Sequence, residues 1–539
     1  MKSNDTSYIS YSSRAAGICM FLTVTSLMIS FIIVCIKCHD SIVDYYMTRF
    51  SYCLLMMTIV SFLPFKLIEK LAIYVIVVLT IIEIVLGILQ LTGISESRHL
   101  LFRMTGSFMN PNPYGGFLAL SFSVLTALVL SKGNNVAWFD RCLKVLVYVS
   151  FLLITITRCR SAYLSVVICT VLIFTQYYEY LRIWFSNHKR IVVLLTLILF
   201  IILYIWKRPS ADGRLFIYRI GLMILINNCF KGGGVGSYQA LASNEQLDYF
   251  RDGIPLSDGY FEIPHEIANQ CMLAGSSEFA FCDPLQIAID AGIITLFFYI
   301  GVVVFTAIIL KRRNSPLYFG LIALQITSLF SYSMSILEFQ LFMSVCIGAA
   351  LSDSRIDLPL PFSSLLAFYF ITSVCLLKKN GSYKDDYSEW KTERIMYNAG
   401  NYKEYAQLCA EKIGSIDFSA VFLYEYGCSL SEIKDYSKSD SVLNIGVAHF
   451  GNPAFYMKLG DNSMKQHYYS QAEDYYWRAF CIAPNHLTPL CSLADCYLAN
   501  NDTVRFNNML RSIEQFNSKN EANIKTLLLN QLHSKLSDK

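Results

Sequence analysis

From residue 15 to residue 377 the chain is a succession of apolar runs separated by short polar breaks. A membrane-spanning helix needs about 20 apolar residues, and about 17 suffice. Runs 15–36, 71–93, 114–131, 191–206, 285–310, 316–334 and 359–377 reach or approach that length. Runs 50–65, 143–157, 161–178 and 336–352 are shorter or carry a polar residue. Together they predict an all-α, polytopic membrane domain of about eleven spans over residues 1–379. Little positive charge precedes the first run and no small-residue cleavage site follows it, so it reads as a span rather than a signal peptide. One break is far longer than the others. Residues 207–284 leave the apolar pattern altogether, and a protein that gathers its polar residues in one loop is expected to work there.

The basic residues suggest an orientation. With a cytoplasmic N-terminus, the inner connections carry Lys66 and Lys70, then Lys132, Arg141 and Lys144, then Arg182, Lys189 and Arg190, and Lys311, Arg312 and Arg313. The outer connections carry fewer, which places 207–284 and the C-terminal tail outside. Composition agrees with a membrane protein: 54% of residues are hydrophobic and 16% charged, against roughly 25% charged in an average soluble domain. No basic stripe is interleaved with aromatics, so nucleic acid is not an expected partner. The 17 cysteines form no CxxC pairs and have no histidines at zinc spacing. Cys271 and Cys282 are the pair that an oxidising compartment could bridge.

Residues 380–539 have the polar composition of a soluble domain. Leu459-Gly460, Ala472, Ala479 and Pro484 fall where a tetratricopeptide unit needs a close helix contact, small residues and a closing proline. Leu493, Ala494, Tyr497, Phe506 and Leu510 repeat the pattern one period on, and Tyr426-Gly427, Leu430, Tyr436 and Leu443 one period back. Asn398-Ala399-Gly400-Asn401-Tyr402 reads as the turn of a still earlier unit. Four such units predict an α-solenoid, the kind of surface that binds peptides or proteins.

Four segments are too polar or too glycine-rich to be plain spans. Residues 103–116 hold Arg103, two Asn-Pro pairs (Asn110-Pro111 and Asn112-Pro113) and three glycines, and predict a broken or re-entrant entry into a span. Arg158 and Arg160 separate two apolar runs with almost no loop, and their forked guanidiniums suit phosphate oxygens. Gly213-Arg214 and Arg219 precede a glycine run, Gly232-Gly233-Gly234-Val235-Gly236, which lacks the Gly-Lys-Ser/Thr of a P-loop. Arg214 and Arg219 lie about 140° apart around a helix and cannot share a ligand by helical spacing alone. Leu215, Leu222 and Ile226 make an apolar stripe suited to a membrane surface. Finally, Glu278 and Asp283 bring carboxylates to the mouth of the 285–310 run.

In order and wording these segments resemble the O-antigen ligase superfamily of lipopolysaccharide ligases, bacterial O-oligosaccharyltransferases and polysaccharide polymerases. Gly106-Ser107-Phe108-Met109-Asn110-Pro111-Asn112 is similar to its G-T-F-x-N-P-N, and Arg160-Ser161-Ala162-Tyr163 lies in a stretch similar to its S-R-S-A-W. Gly213-Arg214-Leu215-Phe216-Ile217-Tyr218, Gly234-Val235-Gly236 and Leu285-Gln286 through Asp290-Ala291-Gly292-Ile293-Ile294 resemble later elements, so the likeness covers roughly residues 100–340. The resemblance implies transfer of a glycan from undecaprenyl diphosphate to a lipid A core or a protein hydroxyl, at the outer face of a bacterial inner membrane. It implies Arg160 and Arg214 as diphosphate ligands, with Arg103 a third, and neither metal nor nucleotide. Extension of the lipid-linked chain by a polymerase is the alternative within the same chemistry. A transporter or a membrane-anchored repeat scaffold would leave the arginine motifs unexplained. The chain departs from the family at Phe281-Cys282, where many ligases carry His-Asn. Glu278, Asp283 and His265 are the candidates for the missing base, although an ordinary carboxylate is a weak base at neutral pH.

Overall fold

A computed structural model describes residues 24–26, 41–131, 137–352, 367–372, 374, 382–516 and 522–537. Most of the expected spans 15–36 and 359–377 lies outside the described residues, whose regular structure is helical with no named strand.

Five helices are long and apolar enough to cross a membrane: Phe65–Leu91, Pro111–Leu130, Arg160–Tyr177, Lys189–Trp206 and Ile293–Arg312. Leu317–Ser328 and Leu337–Ser352 are shorter apolar helices. Pro111–Leu130 is the hub, with Ala137–Thr157, Arg160–Tyr177 and Leu317–Ser328 packed around it. Its small and apolar residues, Ala119, Ser121, Val124 and Leu125 among them, are accordingly buried on all sides. Ser41–Ser61 pairs with Leu337–Ser352 at the flank. Lys189–Trp206 contributes no buried residue, and its isoleucines and leucines form a lipid-suited outer surface.

Four expectations change. The entry at 103–116 is not broken throughout, because a regular helix starts at Pro111 and runs through Pro113, Gly115 and Gly116. Both prolines fall in the first turn, where backbone N–H groups have no helical partner to lose. The 285–310 run is two helices, Asp283–Ala291 and Ile293–Arg312, separated at Gly292 with φ +90°. The 316–334 run stops at Ser328 and continues into a short 3-10 turn, Ser333–Ser335. In the 207–284 insertion the helix expected to end near Asn228 already begins at Arg208, as Arg208–Asn227, and two further helices follow, Tyr238–Gly253 and His265–Leu273.

The tail forms helix pairs in succession: Ser382–Asn398 with Tyr402–Ile416, Ala420–Glu432 with Tyr436–Phe450, Pro453–Lys465 with Tyr469–Ile482, and Thr488–Ala499 with Thr503–Gln515. Ser419, Asp435, Asn452 and Asp502 each accept an N-terminal backbone N–H, which explains where these helices begin. The tail does not hang free. Phe216, Phe250 and Phe261 of the insertion share one core with Trp477, Phe480 and Phe506 of the tail. The Phe261 ring lies 5.5 Å from Trp477 and 5.2 Å from Phe480. Ser512 Oγ accepts from Phe261 N at 3.0 Å and donates to its carbonyl at 2.9 Å. Asn485 Nδ2 donates to Ala274 O at 2.6 Å. A shared core requires insertion and tail to lie on the same side of the apolar helices.

Candidate functional site

All four polar segments reach one cavity at the end of the bundle beneath the insertion, the fourth through Phe281 alone. The first is fixed by two polar side chains of the Phe65–Leu91 helix. Gln90 accepts from Thr105 N and Gly106 N at 2.9 and 2.8 Å and donates to Gly106 O at 2.9 Å. Glu83 accepts from Ser107 N at 3.0 Å. Both side chains are buried, and such burial in an apolar helix is tolerable only because the facing backbone satisfies them. Asn110 Oδ1 then accepts from Asn112 N at 3.1 Å and caps the Pro111 helix.

The second segment is the tight turn between Thr157 and Ser161. Arg158 adopts φ +51°, and the turn presses so close to Gly115 that a Cβ there would stand 2.9 Å from Cys159 Cβ. Arg160 donates through Nη1 to Leu203 O and Lys207 O at 3.3 and 3.2 Å, and through Nη2 to Ser210 Oγ at 3.2 Å. One of these acceptors, Leu203 O, belongs to the last turn of Lys189–Trp206, at its negative C-terminal pole. Lys207 Nζ donates to Arg158 O at 3.0 Å.

The third is the Arg208–Asn227 helix. Arg214 Nη1 donates to Phe330 O at 2.7 Å, and its guanidinium stands 5.5 Å from the Phe281 ring centroid. Phe281 has φ +51° and accepts from Tyr218 Oη through its carbonyl at 3.0 Å. Burial pushes the Tyr218 phenol up to about 12, so it remains protonated and donating. Where the family resemblance expects a histidine, an aromatic face therefore supports Arg214.

Asn110, Asn112, Arg158, Arg160, Lys207 and Arg214 line one cavity of 330 Å³. Among the described residues no carboxylate forms an ion pair with any of its four cations. Burial, and then the neighbouring Arg160, hold the Lys207 ammonium below its ordinary pKa range. A cluster of like charges without counterions is costly and calls for an anion. A second, apolar cleft of 280 Å³ adjoins it, walled by Leu164, Phe200, Leu203 and Phe330 and sharing Arg160 and Arg214. The geometry thus places a cationic chamber against a greasy groove.

The remaining candidates fall elsewhere. Arg103 is exposed and does not line the cavity. Arg219 points away, stacking 5.3 Å from the Tyr249 ring centroid. His265 is exposed at the start of its helix. Asp283 is buried, accepts from Met334 N at 2.8 Å, and lines a separate cavity with Arg49 and Asp290. Glu278 is exposed, on the segment that leads into Phe281, and its neighbour Phe279 stacks on Tyr332 at 4.3 Å. Cys271 and Cys282 are free thiols. The glycine run has a structural part: Gly233 N and Gly234 N donate to Ile289 O and Asp290 O, both at 2.9 Å, bracing the Gly292 break. Lys207 and Phe330 join the site without any sequence signal, since each comes from the edge of an apolar or polar run and is recruited by packing alone. A scan against protein-family models finds no match for this chain, and a search of curated protein sequences finds none either.

Proposed function

We propose that the protein is a metal-independent membrane glycan transferase that takes its donor from undecaprenyl diphosphate. One observation carries this reading: a cationic cavity with no carboxylate ion pair among the described residues, and an apolar cleft that shares Arg160 and Arg214 with it. A polyprenyl diphosphate has the matching parts, an anionic head and an apolar tail. In the reaction an acceptor hydroxyl oxygen bonds to the anomeric carbon as the bond from that carbon to the diphosphate oxygen breaks. The bonding pair leaves with the diphosphate, and the hydroxyl proton passes to a base or to water. Arg160 and Arg214 stabilise the charge that gathers on the leaving group. Arg158 and Lys207 add to the field, and Asn110 and Asn112 supply polar contacts at the rim. Glu278, exposed three residues before the cavity wall at Phe281, is the candidate base, whereas Asp283 lines a separate cavity and holds the Met334 backbone.

In this proposal the chain has about eleven spans and sits in a bacterial inner membrane with insertion and tail in the periplasm. The tail is a stack of tetratricopeptide-like units that receives a protein partner, and the acceptor is a lipid A core or a protein hydroxyl. Arg160→Ala and Arg214→Ala should each lower glycan transfer by about 10²–10³-fold while the protein stays in the membrane. Near-normal transfer by both variants would overturn the reading. Analysis of a deletion strain for the glycoconjugate it loses then identifies the acceptor.

A further inference from the structure

The connection between the Phe65–Leu91 helix and Pro111 carries the two most exposed large apolar side chains among the described residues, Leu100 and Leu101, with Ile94 and Met109 also well exposed. Leu100 is 104% exposed, Leu101 84%, Ile94 76% and Met109 70%. They are not on a slack segment. Ile94 N and Ser95 N both donate to Leu89 O, at 3.0 and 3.2 Å. Ser97 and Thr105 hydroxyls meet at 3.2 Å, and Arg98 donates to Ser107 O at 2.6 Å. With Gln90 and Glu83 holding residues 105–107 from below, the apolar tip is held outward and cannot collapse onto the protein.

Water is a poor environment for such a tip, and its surroundings indicate what replaces water. The segment continues the lipid-suited face of the Phe65–Leu91 helix, where Val75, Val78, Ile82, Val85 and Ile88 are all exposed. Arg98 and Arg103, both exposed, flank the tip with positive charge. Apolar side chains ringed by arginines are the composition of an interfacial anchor on anionic phospholipid. Phe102, next to the tip, also lines the arginine cavity.

We propose that the Ile94–Met109 connection inserts its Leu100–Leu101 tip into one leaflet, with Arg98 and Arg103 on anionic phospholipid headgroups, beside the mouth of the cavity. The anchor sets the cavity at headgroup depth. This inference does not depend on which reaction the cavity performs.

The test uses the full chain in lipid nanodiscs, with a coumarin-bearing amino acid at Leu101 or, as a control on the same connection, at the exposed Glu96. Lipids brominated near the headgroup end of the acyl chain should quench the Leu101 probe more than those brominated near its tail end. The Glu96 probe should respond instead to aqueous iodide. Replacing anionic with zwitterionic lipid should weaken the bromolipid quenching at Leu101, and Arg103→Gln should reduce that difference. A photo-crosslinking residue at Leu100 gives a second measurement, with a lipid adduct expected. Iodide quenching of Leu101 equal to that of Glu96, or irradiation without lipid adduct, would overturn the proposal.

Discussion

Arg214 and Arg219 lie on one helix, yet only the first faces the cavity; the second rests on Tyr249 at the exposed surface. Their separation of about 140° around the helix is enough to divide a binding cation from a surface one. Arg219→Ala should therefore leave glycan transfer near the wild-type rate. Arg214→Lys, which keeps the charge and loses the planar fork, should lower it nearly as far as Arg214→Ala; radiolabelled glycan transfer in isolated membranes checks both. Gly106 has φ +58°, and a Cβ there would overlap Glu83 and Tyr114. Gly106→Ala should cost at least about 2 kcal/mol, read as a lowered unfolding midpoint in detergent. In the tail, burial holds the Asp461 carboxyl above its ordinary pKa, although the Tyr476 hydrogen bond and Lys458 pull it down. A carboxyl whose pKa is raised on folding weakens stability as pH climbs from the unfolded to the folded pKa, and the full cost persists above the latter. Asp461→Asn keeps an acceptor for Tyr476 and should raise the melting temperature at pH 8, with the gain fading towards pH 4.

At the scale of elements, apolar runs and helices correspond closely where nothing interrupts the run. Phe65–Leu91, Lys189–Trp206 and Arg160–Tyr177 lie where their hydrophobic stretches predict them. Two of the departures share one cause, the position of single residues. Two prolines that look like breakers open a helix because both fall in its first turn, whereas Gly292, inside an apparently continuous run, separates two helices. The apolar stripe of Arg208–Asn227 is exposed on one face, with Leu215, Leu222 and Ile226 at 55%, 54% and 63%. The opposite face, Phe216, Ile220 and Ile224, enters the core shared with the tail. Phe261→Ala in that core should cost about 3–5 kcal/mol and raise hydrogen exchange in Tyr238–Gly253 and Tyr469–Ile482 together. Exchange confined to the insertion would show that the two do not share a folding unit.

For the whole molecule, the tail acts as a structural wall of the insertion as well as a candidate partner surface. Deleting residues 380–539 exposes Phe250 and Phe261, so the truncated protein should lose protease resistance across 238–284, with limited proteolysis as the readout. Loss of transfer on truncation would thus reflect a disordered insertion before any change in acceptor choice. The tail also touches the membrane bundle directly, where Phe418 stacks on Tyr45 at 5.0 Å. Bundle, insertion and tail are therefore mechanically joined around the cavity.

Hydropathy alone determined that the chain is a helical membrane protein with a helical tail, because transfer of apolar side chains out of water is local and additive along the chain. The arginines were legible for a related reason: a cation at the end of an apolar run has a burial cost that can be read without knowing its neighbours. Which of them meet was decided only by tertiary structure. Arg160 and Arg214 share a cavity because a helix end, a tight turn and the Phe330 carbonyl hold them there, while Arg103 stays outside and Asp283 is turned to another chamber. Lys207 and the apolar cleft had no sequence signature, since their roles arise from contacts between segments more than forty residues apart. The polar interruption is likewise a partner of the tail, because its aromatic residues are buried only once both segments fold against each other.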